Sequence, residues 1–328
     1  MSAPRPARPA RPPYPEVPTR LVVHALVRED GTVDAGELYT VAGALGMSDQ
    51  QVRLCVKRLV TEGRFTHEGR GRRALLRATN AEVAALLPDA GFVRYAYRQD
   101  RGDAPWDGLW RLVAFAVPES ARAARDALRD TVVALGAAPV QGGLYVTPNP
   151  IGRYVEERAR ELGVAGSLTL ADSRDLRIGG VDEPRELAAA LWPLPEIAAR
   201  YERLEALART HLARLDTLSE DGDGDGDGAG DRDGDGAGTE RLAMAVTLAA
   251  EFTRAMEPDP LLPPELLPGP WAGERARTLA DRCWNRLAGA PGAGSRPRLF
   301  RLYEDSVPEG DPDQNADGGA DRKAGTGH

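Results

Sequence analysis

The chain has 328 residues, 42 Lys/Arg against 50 Asp/Glu, a formal net charge of −8, and 42% hydrophobic content with 36 Gly and 26 Pro. That length supports two or three domains with ample cores, and no apolar run reaches the roughly 18 residues that a membrane span needs. The acidity would argue against a nucleic-acid partner, but it is local: residues 219–240 carry −8 and residues 303–328 carry −5, which leaves the rest at +5.

In chain order, residues 1–17 read as a disordered Pro/Arg-rich arm with no apolar signal-peptide core, so the protein is expected in the cytoplasm. Residues 19–28 predict a helix with Leu21, Val22, Ala25 and Leu26 inward. Asp34 caps a second helix to Leu45, and Gly46 turns the chain into a third. In that third helix Ser48 and Gln51 have capping-box spacing, and Val52, Cys55, Val56, Leu59 and Val60 form one buried stripe. The opposite face carries Gln50, Arg53, Leu54 and Lys57, flanked by Gln51 and Arg58.

Gly63 stops this helix. Two short strands, 65–67 and 74–77, follow around the loop 68–73, which contains Arg70, Arg72 and Arg73. Between Gln50 and Arg77 there are eight Lys/Arg and two acids, a local +6. Three helices followed by an arginine-tipped hairpin is the order of a winged helix-turn-helix. Gln and Arg can each make two hydrogen bonds to a base edge, and the loop arginines suit phosphate or minor-groove contact. The expected DNA-contacting set is Ser48, Gln50, Gln51, Arg53, Lys57, Arg58, Arg70, Arg72 and Arg73. A solvated basic helix and a plain hairpin is the competing explanation. A short helix from Asn80 to Leu87 closes this unit near residue 90.

Residues 109–170 predict β-α-β-β-α-β. A strand at 109–117 is stopped by Pro118, and Glu119 caps a helix to Leu135. Strands at 138–140 and 143–146 are followed by a helix at 151–162 and a strand at 167–170. This order is the ferredoxin-like split βαβ arrangement, an antiparallel sheet with two helices on one face. Residues 183–218 are helical with a break at Trp192-Pro193-Leu194-Pro195. Residues 219–239 form a low-complexity Asp/Gly linker, helix resumes at 241–256, and a final helix spans 272–287 before an acidic, disordered tail at 303–328. The Asp/Gly segment is no EF-hand: a loop starting at Asp221 ends on Arg232 and one starting at Asp223 ends on Gly234, where a bidentate Glu is needed. Cys55 and Cys283 read as buried, reduced thiols, and the four histidines are scattered without ligand spacing.

Four segments together are familiar: the third helix with its hairpin, LWRLVAFAVPESARAARDALR, GGLYVTPNP, and EPDPLLPPELLPGPWAGERAR. They resemble the PaaX-type family, bacterial repressors of phenylacetate degradation genes, over about residues 19–302 without the Asp/Gly insert. The resemblance implies an α+β protein with three parts: an N-terminal winged helix-turn-helix (18–90), a central ferredoxin-like βαββαβ domain (91–180) and a helical C-terminal domain (181–302). It also implies a homodimeric repressor on a palindromic double-stranded operator, released by an effector such as phenylacetyl-CoA or another acyl-CoA. No effector residues can be assigned; Trp110, Tyr145, Trp192, Trp271 and the nearby arginines are candidates, but core packing explains each aromatic more often.

Three departures are Leu54, where a small polar residue is usual, the Asp/Gly insert, and the charged tail after Tyr303. The central segment is also similar to the small CRISPR-associated ferredoxin-like nuclease, which would make the chain a metal-dependent nuclease. The metal-binding Asp of that family aligns with Ala116, which cannot hold a cation, so no catalytic residue, metal or cofactor is expected. A third reading, a winged-helix adaptor that contacts protein, is opposed by the basic hairpin.

Overall fold

The computed structural model describes residues 14–79, 90–220, 233–289 and 297–300. The predicted helix 80–87 and the tail 303–328 lie outside them. The N-terminal unit consists of α1 (Thr19–Ala25), β1 (Thr32–Asp34), α2 (Ala35–Ala44), α3 (Asp49–Thr61), β2 (Phe65–Glu68) and β3 (Leu75–Ala78). Asp34 caps α2, its Oδ1 accepting from the Glu37 amide at 2.9 Å. The hairpin is joined by a strand that the sequence did not reveal: β1 pairs antiparallel with β3, giving the order β1-β3-β2.

Part of the N-terminal arm is built into the fold, which corrects its reading as disordered to residue 17. Val17 is buried, the Tyr14 ring packs edge-on against His211, and the Glu16 carbonyl accepts from Arg254 Nη2 at 2.6 Å.

A helix that was not anticipated, α4 (Ala90–Asp100), leads into the central unit: β4 (Trp110–Phe115), α5 (Arg122–Ala134), β5 (Ala138–Gln141), β6 (Leu144–Thr147), α6 (Gly152–Glu161) and β7 (Leu168–Ser173). Its sheet is fully antiparallel in the order β5-β6-β4-β7, as a ferredoxin-like βαββαβ unit requires. Alternation along β4 divides its side chains between two cores. Val113 joins Leu128, Val132, Tyr145 and Val155 under α5 and α6, whereas Trp110 enters the large core shared with the C-terminal helices. Glu119 does not cap α5. It sits in a 3-10 turn ahead of that helix, and its carboxylate accepts from Arg125 at 2.9 Å.

The C-terminal part consists of α7 (Pro184–Leu191), α8 (Leu194–Glu220), α9 (Asp233–Met256) and α10 (Ala272–Ala288). The break at Pro193 is where it was expected. The Asp/Gly insert is narrower than its reading as linker, because both flanking helices extend into 219–239. From Ala243 to Ala250 every residue of α9 is buried, as befits a helix enclosed on all sides. It packs against α8 and α10 on one flank and against α1 and α2 on another. One hydrophobic core therefore runs from Val22, Leu38 and Leu59 through Val246 and Phe252 to Trp284. Leu299 and Phe300 are both buried, with Phe300 edge-on to Trp284.

Candidate nucleic-acid interface

The local chemistry of α3 sets the geometry of this surface. Ser48 Oγ accepts from the Gln51 amide at 3.3 Å, and Gln51 Oε1 accepts from the Ser48 amide at 2.8 Å and from Ser48 Oγ at 2.9 Å. Both halves of the capping box are therefore closed. Val52 and Leu59 are buried, and Gly63, at φ +70°, ends the helix in the left-handed conformation that glycine adopts readily. Gln50, Arg53, Leu54, Lys57 and Arg58 are left on the exposed side.

The nine expected contact residues fall into two groups. Ser48 and Gln51 are engaged in the cap, so their oxygens serve the helix terminus instead of a base edge. Arg72 is also held to the body: it lies 3.6 Å from Asp49 Oδ2, its guanidinium sits over the Tyr39 ring at 5.8 Å, and its carbonyl would touch a Cβ at Gly36 at 3.0 Å. Gln50, Arg53, Lys57, Arg58, Arg70 and Arg73 are exposed, and among the described residues none of the five cations forms an ion pair. The loop arginines sit in a single 3-10 turn, Gly71–Arg73, where Gly69 and Gly71 take positive φ. The outcome is an exposed basic surface contributed by one helix and the tip of one hairpin.

The sequence reading missed the polar junction that joins α4 and the central unit to the C-terminal part. Arg277 of α10 is buried and donates twice to Asp100 of α4, both at 2.6 Å. It also donates to Tyr201 Oη at 2.9 Å and lies 3.7 Å from Asp259. Burial disfavours its charge, but Tyr201, Asp100 and Asp259 hold it above the ordinary arginine range. Burial raises the Asp259 carboxyl, against the pull of Arg277, the Tyr201 hydroxyl and the Leu261 amide.

Leu261, at φ +51°, is held in that uncommon conformation from both sides. Its amide donates to Asp259, and its carbonyl accepts from Gln99 at 2.8 Å and Asn149 at 3.1 Å. Beside this knot is a cavity of about 220 Å³, walled by Gln99, Asp259, Leu261, Trp271, Glu274 and Arg277. The only advance signal was the unusual Pro-rich run at 258–270, which names the loop but not its partners.

His24 and His211 are core residues, each lowered by burial to about 4. Cys55 is half-buried and Cys283 buried, both as free thiols. Ala116, just past β4, is exposed, and its amide donates to the Ser167 carbonyl at 3.0 Å. Among the described residues no three His, Cys, Asp or Glu side chains gather as a metal ion would need. No helix among them is long and apolar enough to cross a membrane.

The central sheet defines the class of the middle of the molecule: residues 103–188 match the family model described as the PaaX protein central Cas2-like domain. Residues 231–293 match the PaaX-like protein C-terminal domain. The transcriptional repressor PaaX of Escherichia coli (strain K12) is 25% identical over 278 residues, 81% of this chain and 78% of that protein. Both domain models and the repressor thus support the resemblance to the PaaX-type family. A solved structure, the uncharacterized protein Rv0674 from Mycobacterium tuberculosis, matches at a TM-score of 0.43 and 20% identity, covering 77% of this chain and 89% of that one.

Proposed function

We propose that this protein is a DNA-binding transcriptional regulator, a repressor of aromatic-acid catabolism genes whose N-terminal unit is a winged helix-turn-helix. The observation that carries this reading is a set of exposed cations with no ion pair among the described residues, Arg53, Lys57 and Arg58 on α3 and Arg70 and Arg73 on the hairpin. In a duplex, α3 lies in the major groove with Gln50, Arg53 and Lys57 toward base edges. The hairpin arginines meet the backbone or an adjacent minor groove. Ser48 and Gln51 keep α3 in register, and Arg72 braces the hairpin.

The regulator acts as a homodimer, placing two α3 helices about one helical turn apart, roughly 34 Å, on a palindromic site. Its effector is an aryl-CoA such as phenylacetyl-CoA, bound between the central and C-terminal parts. The cavity beside Arg277 supports that placement for the aryl end alone. Asp259 and Glu274 in its wall disfavour the nucleotide phosphates, which would remain outside. To release DNA, the effector must bind the off-DNA arrangement more tightly than the bound one.

The test is fluorescence anisotropy of the protein on its own upstream promoter DNA across a salt series, with and without phenylacetyl-CoA. Affinity should fall steeply with salt as bound counterions are released, and the thioester should weaken it further. Salt-insensitive or absent binding overturns the DNA reading; binding that phenylacetyl-CoA leaves unchanged overturns the effector.

A further inference from the structure

Leu54 is anomalous on the basic face. It is 60% exposed, more than any other large apolar side chain among the described residues, yet it lies mid-helix among Gln50, Arg53, Lys57 and Arg58. It contributes nothing to the buried stripe, which Val52 and Leu59 supply. Helical geometry places Gln50 one turn before it and Lys57 and Arg58 one turn after it, so it occupies the middle of the surface that a groove would cover. An isolated leucine flanked by cations has one apolar target in a major groove, the thymine 5-methyl group.

We infer that Leu54 is a specificity-determining residue that packs against a thymine methyl in the operator half-site. The inference rests on the DNA-binding reading above and deepens it. The flanking cations set the occupant. They match a phosphate-lined groove, in which Leu54 reads the base while Arg53, Lys57 and Arg58 supply charge.

The test replaces thymine by uracil, which pairs identically and lacks only the methyl. The protein's upstream promoter fragment is footprinted, and duplexes of the protected site are made with single dT→dU substitutions at each position. Both the intact protein and Leu54→Ala are titrated by anisotropy. Leu54 is exposed, so Leu54→Ala folds normally, which an unchanged Tm verifies.

The expected result is one thymine per half-site whose replacement weakens intact-protein binding about three- to fivefold, the effect of one buried methyl-sized group. Leu54→Ala should bind the dT and dU versions equally. Equal binding of dT and dU duplexes by the intact protein overturns the inference and leaves the DNA reading standing. A dT preference that persists in Leu54→Ala also overturns it, because the methyl then acts through DNA shape. Failure to bind any duplex overturns both the inference and the DNA reading.

Discussion

Arg53 and Arg72 carry the same guanidinium in different surroundings, and their substitutions should differ accordingly. Arg53 is exposed and unpaired among the described residues, whereas Arg72 lies between Asp49 and the Tyr39 ring. Arg53→Ala is expected to weaken operator binding by about 1–3 kcal/mol and to relax sequence preference at one position, measured by anisotropy on matched and mismatched duplexes. Arg73→Ala should weaken all sequences alike and reduce the salt slope by about one.

The buried histidines make a pH prediction. His24 and His211 titrate at about 4 in the folded protein, against an ordinary value of 6.5, because burial disfavours the cation. Unfolded chains take up these protons below about pH 6.5 and the folded protein does not until about pH 4, so stability falls as pH drops through that window. The loss is at most on the order of 3 kcal/mol per histidine. Urea unfolding at pH 7 and pH 5 should show it. His211→Gln, which can keep a hydrogen bond to Thr247, should flatten the slope.

Among the elements, α3 was legible because its signals are local: a Ser/Gln capping box, a stripe at helical spacing and a glycine stop all lie within a few turns. Ser48→Ala removes one of those signals and is expected to lower stability by about 1 kcal/mol in a thermal or urea melt. The short strand β1 and the helix α4 were not legible, for two reasons. β1 is three residues long and is defined by a partner, β3, far along the chain. The inward face of α4 is partly polar, with Tyr95, Tyr97, Gln99 and Asp100 whose partners are Asn149 and residues of the 257–277 region. Periodicity detects apolar faces and gives no sign of such long-range polar pairing.

Within the site, all nine expected side chains are exposed, but Ser48, Gln51 and Arg72 are already engaged by neighbours. The engagement of Ser48, Gln51 and Arg72 depends on side-chain geometry that spacing does not carry. Gly136 is another element whose role only the fold discloses. It has φ +86°, a Cβ there would lie 2.6 Å from the Pro260 carbonyl, and its own carbonyl accepts from Trp192 at 3.1 Å.

At the scale of the whole molecule, the enclosed helix α9 makes the N-terminal unit and the C-terminal helices share one core. This sharing has a spectroscopic consequence. The five tryptophans, at positions 106, 110, 192, 271 and 284, all lie outside the N-terminal unit. Leu38→Ala removes a fully buried side chain of α2, at an expected cost of about 2–5 kcal/mol. It should lower the midpoint of the tryptophan-detected transition along with that of far-UV circular dichroism. If the tryptophan transition stayed in place while the circular dichroism split in two, the two regions would be unfolding independently.

The 24 residues of α9 span about 36 Å at 1.5 Å per residue. A rigid rod of that length works as a lever. Tilting it by about five degrees sweeps its far end through roughly 3 Å, close to the 3.4 Å spacing of successive bases along a strand. Because α9 is enclosed and packs against α2 as well as α8, such a tilt carries α1 and α2 with it. Displacing its Met256 end, held by Tyr201 at the Arg277 junction, moves the N-terminal unit as a body by about one base step.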